Sequence, residues 1–434
     1  HAAGRAARAA GAEQLLGGGL EAARRSWARL RERLEQQTED ALTRCDEGRV
    51  DMLLDSWLAR GVLHERMPAA IRKAARRTAG RNLRDATASG DPARLKGALV
   101  AARRLQAVDV PEFEPAVAKY KQVRQLPEGW DVARMVEERR TSAGKLLTKT
   151  DVSADGSLRA LVQLMFDRTM RLVETRDRAG QLPQQLQVER VTEVQHEGQW
   201  VDYVVRREAV RRALASRARG PLLLAEAATE GPLAEAAATA ASEPIHARVP
   251  PGARPGELMA VQSPVSGQPV QLPVPPGRAP GSGLLVQELL AAGLPGPPLE
   301  TAANEVWLFH GTRPIAANSI TSDDFKIDLA GSSTGSLYGR GIYLAENSSK
   351  ADEYSRADPK TGLFTMLLCR VTLGRLFYSD RVEPDARACE AACLGGEYHA
   401  VLGDRRACRG TFREFAVFDE DQVYPSYIVS YRRA

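Results

Sequence analysis

The stretch Val306-Trp307-Leu308-Phe309-His310-Gly311-Thr312 reads as an apolar strand that ends in a polar corner. Outward from it, Ile342-Tyr343-Leu344-Ala345 is a second strand, entered through the Gly-rich turn Tyr338-Gly339-Arg340-Gly341. Met366-Leu367-Leu368-Cys369-Arg370-Val371, apolar but for Arg370, reads as a buried strand. Phe415 to Phe418 and Tyr427 to Tyr431 are two more. A single helix, near Ser348 to Tyr354, interrupts this series. Strands with few helices between them predict an α+β fold, not a doubly wound sheet.

Each polar element of the segment has an ordinary reading beside a chemical one. His310, then a Gly without a side chain, then the Thr312 hydroxyl, forms a corner that could hold a sugar and an amide. A satisfied core histidine would look the same. Gly339 and Gly341 allow close approach of backbone to a ligand, and Tyr343 and Tyr354 could flank a flat ring, but tyrosines at such spacing also fill cores. The turn lacks the further glycine of a dinucleotide fingerprint. Glu414 opens a very apolar strand, where a carboxylate could stabilise positive charge or be an edge residue.

Taken together, Phe309-His310-Gly311-Thr312, Tyr338-Gly339-Arg340-Gly341-Ile342-Tyr343, Glu346-Asn347-Ser348-Ser349-Lys350 and Arg413-Glu414-Phe415 resemble the catalytic domain of the poly(ADP-ribose) polymerase family, His-Tyr-Glu class. Tyr424-Pro425 and Tyr427 extend the likeness. Further back, Thr175-Arg176-Asp177-Arg178, Val191 to Gln195, Trp200 and Tyr203 resemble that domain's opening strand and helix. The resemblance implies a split antiparallel β-sheet ADP-ribosyltransferase fold with a cleft for NAD. NAD would be a substrate there, and no metal is implied. His310, Tyr343 and Glu414 would be the catalytic residues. Gly311 would bond the nicotinamide amide, Tyr343 and Tyr354 would sandwich its ring, and His310 and Thr312 would hold the adenine-side ribose. The implied donor loop runs from about Lys326 to Leu337.

The implied activity is transfer of ADP-ribose from NAD to protein acceptors, including the chain itself, with release of nicotinamide. The complete triad implies a polymer-forming member. The alternative is a catalytically silent scaffold that binds NAD or ADP-ribose. One departure stands out: the family's Ser eight residues after the triad Tyr is Ala351 here, and Ser348 or Ser349 would have to replace it. Arg405, Arg406 and Arg409, between the last two site strands, would be acceptor contacts.

The transferase domain is expected to run from 158 to 214, resume at 301 and end at 434. The Ala-, Pro- and Gly-rich insert 215–300 repeats a phrase, Val249-Pro250-Pro251-Gly252 and Val274-Pro275-Pro276-Gly277. Met259, Val261, Val265, Val270 and Leu272 between them suggest short strands; a small β module and a flexible linker fit equally. Residues 1–150 read as all-α. Leu20 to Gln36 is a charged helix, and Leu83 to Leu99 echoes Ala41 to Leu58 as helix, Gly turn, helix. Such hairpins could recruit protein partners or form a spacing bundle.

Composition limits the remaining classes. The 434 residues carry a net charge of +5, but 51 of the 60 basic residues are Arg, and Ala, Gly and Pro abound, the mark of a GC-rich genome. Unclustered charge of this kind argues against nucleic-acid binding. No run approaches the length of a membrane span. The five Cys are scattered and odd in number, which fits a reducing compartment, nucleus or cytoplasm. Cys389, Cys393, His399 and Cys408 match no common zinc spacing. The chain begins at His1, so it reads as a fragment or a processed product, and a missing targeting signal is uninformative.

Overall fold

The computed structural model describes residues 69–137, 146–215, 245–254, 257–262, 269–274, 283–284 and 294–434 except 155, 179 and 328–336, with scattered positions between 25 and 53. The first copy of the helical repeat, the first half of the insert and most of the implied donor loop lie outside the described residues.

Two compact units divide the chain: one holds residues up to 124 with 132–137, the other holds 125–131 and 138–434. In the first, α1 (Ala69–Ser89), α2 (Pro92–Arg104), α3 (Phe113–Arg124) and α4 (Val132–Glu137) pack together. The second copy of the repeat is the α1–α2 hairpin. Gly90 takes φ +65 at its turn, and the Asp91 side chain caps α2 by accepting from the Arg94 amide. Pro92 at the helix start suits a position whose amide would be unpaired anyway. Leu83, Leu95 and Leu99 are fully buried between the helices.

The second unit is a mixed α+β domain around one nine-stranded sheet. Its elements, in chain order, are β1 (Leu147–Asp151), α5 (Gly156–Thr169), β2 (Leu186–His196), α6 (Glu197–Ala215), β3 (Ile245–Arg248), β4 (Leu258–Gln262), β5 (Pro269–Pro273), β6 (Gly283–Leu284), β7 (Glu305–Thr312), α7 (Pro314–Asp323), β8 (Ile342–Ala345), α8 (Ser348–Asp352), β9 (Phe364–Thr372), β10 (Leu376–Ser379), α9 (Ala386–Leu394), β11 (Ala400–Asp404), α10 (Arg405–Arg409), β12 (Arg413–Val417) and β13 (Val423–Arg433). The sheet order is β1-β2-β13-β9-β7-β8-β12-β11-β10. Only β10 and β11 run parallel. Between β7 and β8 a single pair, Phe309 opposite Ala345, joins the two halves, so the sheet is split there.

Two expectations need correction. The region to 150 is not all-α, because β1 begins at Leu147 and pairs with β2 over five residues. Leu147-Thr148-Lys149-Thr150-Asp151 is too polar to announce a strand; its partner supplies the reason to be one. The segment after 301 also holds α7, α9 and α10 besides the helix near Ser348. These are short and start on local signals, Pro314 for α7 and the capping carboxylates of Asp385 and Asp404 for the others.

Within the insert, β4 and β5 form a hairpin with five register pairs. Both repeat valines are sealed: Val249 and Val274 are each 1% exposed, in the cluster that holds Leu158, Leu161 and Phe309. The return of the chain is also pinned. Arg370 donates to the Pro297 and Pro298 carbonyls at 2.7 and 3.0 Å, and to Glu305 at 2.7 Å.

Candidate active site

The three triad residues stand on adjacent strands at the split. His310 is near the end of β7, Tyr343 is on β8 and Glu414 is on β12. Glu414 lies opposite Ala345, and Tyr343 lies opposite Ala416. Directly opposed residues share a face and residues two apart share it too, so Glu414 and Tyr343 leave the same side of the sheet. The His310 Nδ1–H donates to the Tyr343 carbonyl at 2.9 Å, leaving Nε2 as the acceptor. The imidazole meets the Phe325 ring edge-on at 5.1 Å. Burial pushes it below its ordinary 6.5, against the upward pull of the Tyr343 carbonyl, so the ring is neutral at neutral pH.

Backbone proximity explains the glycines. A Cβ on Gly311 would sit 1.7 Å from the Ala351 carbonyl oxygen, so β7 and α8 meet main chain to main chain. Gly339 has φ +108, which an L side chain rarely adopts. That turn is held by Tyr343, whose hydroxyl donates to the Gly339 carbonyl at 2.9 Å and accepts from the Tyr338 amide at 2.8 Å. Thr312 ends β7 opposite Thr365.

A buried cation organises the carboxylates. The Lys350 ammonium, 5% exposed, lies 2.7 Å from Glu414 Oε1 and 2.8 Å from Glu353 Oε2. It also reaches the Tyr354 hydroxyl at 3.1 Å and Asp177 at 3.4 Å, with the Tyr354 ring 4.9 Å below it. Burial alone would make it less basic, but Glu414, Tyr354 and Glu353 raise it above the ordinary lysine value, so it stays charged. The Tyr354 hydroxyl in turn donates to Asp177 at 3.3 Å. Burial raises the Tyr343 and Tyr354 phenols, and the Glu414 charge adds to it, so both keep their protons.

The α8 helix is itself tied from behind. Asp352 accepts from Arg178 at 2.8 Å, Arg433 at 2.9 Å and the Tyr431 hydroxyl at 2.6 Å. Ser348 Oγ donates to the Phe166 carbonyl at 2.8 Å, and Ser349 Oγ accepts from the Arg171 amide at 3.0 Å. Both hydroxyls are engaged by main chain in and just beyond α5, Ser348 as a donor and Ser349 as an acceptor. Arg405, Arg406 and Arg409 form α10, directly before β12, and Arg405 donates to the Val382 carbonyl at 3.3 Å.

Sequence reasoning quoted Lys350 and Tyr338 without giving either a role. Lys350 carried one faint signal: it is one of nine lysines in an Arg-rich chain. Tyr338 carried none. Among the described residues no group of three metal-ligating side chains occurs, and no helix is long and apolar enough to cross a membrane. A carboxylate fixed beside an ammonium, two protonated tyrosines and a neutral imidazole can bind a polar ring and stabilise a cation formed next to it.

Comparison with known proteins finds likenesses in the same segment. The sequence profile of the poly(ADP-ribose) polymerase catalytic domain matches residues 298–397, which carry His310, Tyr343 and Tyr354; Glu414 lies beyond the matched span. The human protein mono-ADP-ribosyltransferase PARP12 is 30% identical over 132 residues, 30% of this chain and 17% of that protein. A Dictyostelium discoideum protein named a probable poly(ADP-ribose) polymerase is 33% identical over 132 residues, 30% of this chain and 34% of that one. The poly(ADP-ribose) polymerase tankyrase of Caenorhabditis elegans is 33% identical over 161 residues, 30% of this chain and 7% of that protein. The likeness thus spans about a third or less of the curated relatives' own length. Residues 298–397 are thus the segment in which the chain is similar to the catalytic domain of the poly(ADP-ribose) polymerase family.

Proposed function

We propose that the chain is an NAD-dependent ADP-ribosyltransferase that releases nicotinamide and modifies protein acceptors, itself included. The observation that carries this reading is the placing of His310, Tyr343 and Glu414 on neighbouring strands around the single β7–β8 pair. In this reading the Gly311 main chain holds the nicotinamide amide, and Tyr343 and Tyr354 flank the ring. The neutral His310 and Thr312 hold the adenine-side ribose. Glu414 accepts from a ribose hydroxyl as the glycosidic bond breaks. That bond breaks towards an oxocarbenium ion, so a fixed carboxylate lowers the barrier by about 3 kcal/mol. Lys350 keeps the carboxylate in place.

The finer reading is polymer formation, and it rests on Glu414 completing the triad. The names of the relatives divide on this point, mono-ADP-ribosyltransferase for one and poly(ADP-ribose) polymerase for others. The test is NAD consumption by the purified chain, with nicotinamide release and self-modification followed together and Glu414→Ala beside it. Nicotinamide release and long label ladders, both lost in the variant, support a polymerase. One sharp self-modified band reduces it to single-unit transfer. NAD binding without nicotinamide release sinks the enzyme reading and leaves the silent scaffold.

A further inference from the structure

Tyr338 has a place in the site that neither the triad nor the resemblance assigns. The ring is fully buried. Its hydroxyl end packs on Gly403, where an added Cβ would be 2.0 Å from the ring Cζ and 2.3 Å from the hydroxyl oxygen. Gly403 is the β11 residue directly opposite Glu414. Opposed residues on an antiparallel pair share a face, so the phenol covers the space beside the Glu414 carboxylate. On the other side of Glu414, across Ala345 on β8, comes Lys350 from α8, which binds Oε1 at 2.7 Å. Glu414 is thus bracketed by an ammonium from the β8 side and a phenol from the β11 side.

The phenol is not satisfied. Its oxygen is buried with the Arg405 guanidinium on its accepting side, and its proton meets no acceptor among the described residues. A sealed donor without an acceptor destabilises a fold, and native structures hold few of them. The position is nonetheless enforced: a glycine at 403 makes room for the ring, and the Tyr338 amide is fastened to the Tyr343 hydroxyl at 2.8 Å. Burial first, and then the Glu414 charge, raise this phenol against the opposing pull of Arg405, so it keeps its proton available for donation.

We infer that Tyr338 is a positioning residue for Glu414, its hydroxyl donating to the second carboxylate oxygen once substrate fills the cleft. Lys350 and Tyr338 then fix both oxygens, and the remaining lone pairs face the ribose. The inference rests on the transferase reading above. Its test is Tyr338→Phe, which removes only the hydroxyl. Nicotinamide release should fall about tenfold in kcat, the effect of one hydrogen bond to a charged group, with KM for NAD within about twofold. Because an unpaired buried donor is removed, the melting temperature should stay level or rise by about 2–4 °C. Gly403→Ala, which displaces the ring, should lower kcat as well. Tyr338→Phe with kcat within twofold of wild type overturns the inference, as does a fall in kcat matched by a fall in melting temperature. A wild-type chain that releases no nicotinamide overturns the transferase reading and this inference with it, whereas wild-type turnover matched by Tyr338→Phe overturns this one alone.

Discussion

Replacing Lys350 by Met tests the electrostatic core of the site through stability alone. The ammonium is 5% exposed and serves Glu414, whose side chain is 11% exposed, and Glu353, which is sealed. Removing one partner of a buried ion pair costs about 3–5 kcal/mol, because the other charge stays behind unpaired. Here Glu353 retains the Thr175 hydroxyl at 2.6 Å and Arg178 at 3.9 Å, and Asp177 is a third exposed and hydrated. The lower end, about 3 kcal/mol, is therefore expected. The pH dependence comes from the sign of the change. Wild-type Lys350 is held above its ordinary 10.5, so its contribution is complete below that value and flat across neutral pH. Without the cation, the Glu414 and Glu353 carboxylates stay behind in the fold without their shared counter-charge. Their penalty is then largest at about pH 8 and relaxes as pH falls towards the ordinary carboxylate range. Urea unfolding at about pH 8 and about pH 5.5 measures it. Adding Glu414→Gln to Lys350→Met should recover at least about 1 kcal/mol at the higher pH, a coupling that only neighbours show. A loss below about 1 kcal/mol, or an equal loss at both pH values, would refute the reasoning.

Gly311→Ala should lower kcat/KM for NAD by about 100-fold, because the new Cβ cannot share space with the Ala351 carbonyl 1.7 Å away and β7 or α8 must shift; steady-state nicotinamide release decides it, and a loss under tenfold would mean the two backbones are not held together. His310 is depressed below its ordinary 6.5, so its stability contribution is present above that value and lost as pH falls through the folded value. The unfolding free energy of wild type should therefore drop more between about pH 7 and about pH 5 than that of His310→Gln, and equal slopes would contradict a buried neutral imidazole. Val274→Ala should cost about 2 kcal/mol, the worth of a sealed branched side chain; a negligible change in thermal unfolding would show that the insert does not share the core.

How far the fold could be read from sequence depended on how much of each element's reason was local. The apolar runs of β9, β12 and β13 are self-announcing because both faces are covered, and each appears where periodicity puts it. β1 has no such run; it is a strand because β2 lies beside it, and that pairing reaches from Leu147 to His196. The sheet order was equally beyond reach. β13 joins β2 to β9, and no local pattern says that the last strand lies between one from each half of the domain. In the insert, the repeated Val-Pro-Pro-Gly phrase pointed at something built, but prolines also suit a linker. What decides is burial, since Val249 and Val274 occupy the same core cluster.

The site divides on the same physical line. His310, Gly311, Tyr343 and Glu414 sit in short phrases that the resemblance picks out, and the fold brings those phrases to neighbouring strands. Lys350 and Tyr338 act through register. Lys350 matters because α8 leaves β8 at Ala345, opposite Glu414, and turns its ammonium back over the carboxylate. Tyr338 matters because Gly403 pairs with Glu414 and leaves the ring a place to lie. Neither fact exists until three strands are aligned. The same alignment gives other partners to the substitutes that sequence allowed. Ser348 and Ser349 are near Ala351 in sequence, yet their hydroxyls serve the Phe166 carbonyl and the Arg171 amide behind the helix. The α8 residue that meets Gly311 is Ala351, through its carbonyl, and its side chain carries no hydroxyl. On the proposed function nicotinamide is held by the Gly311 main chain, and Ala351→Ser should strengthen inhibition by nicotinamide several-fold, the worth of one added neutral hydrogen bond. An inhibition constant unchanged in the Ala351→Ser chain would mean that the amide is held elsewhere, and would count against placing nicotinamide at Gly311.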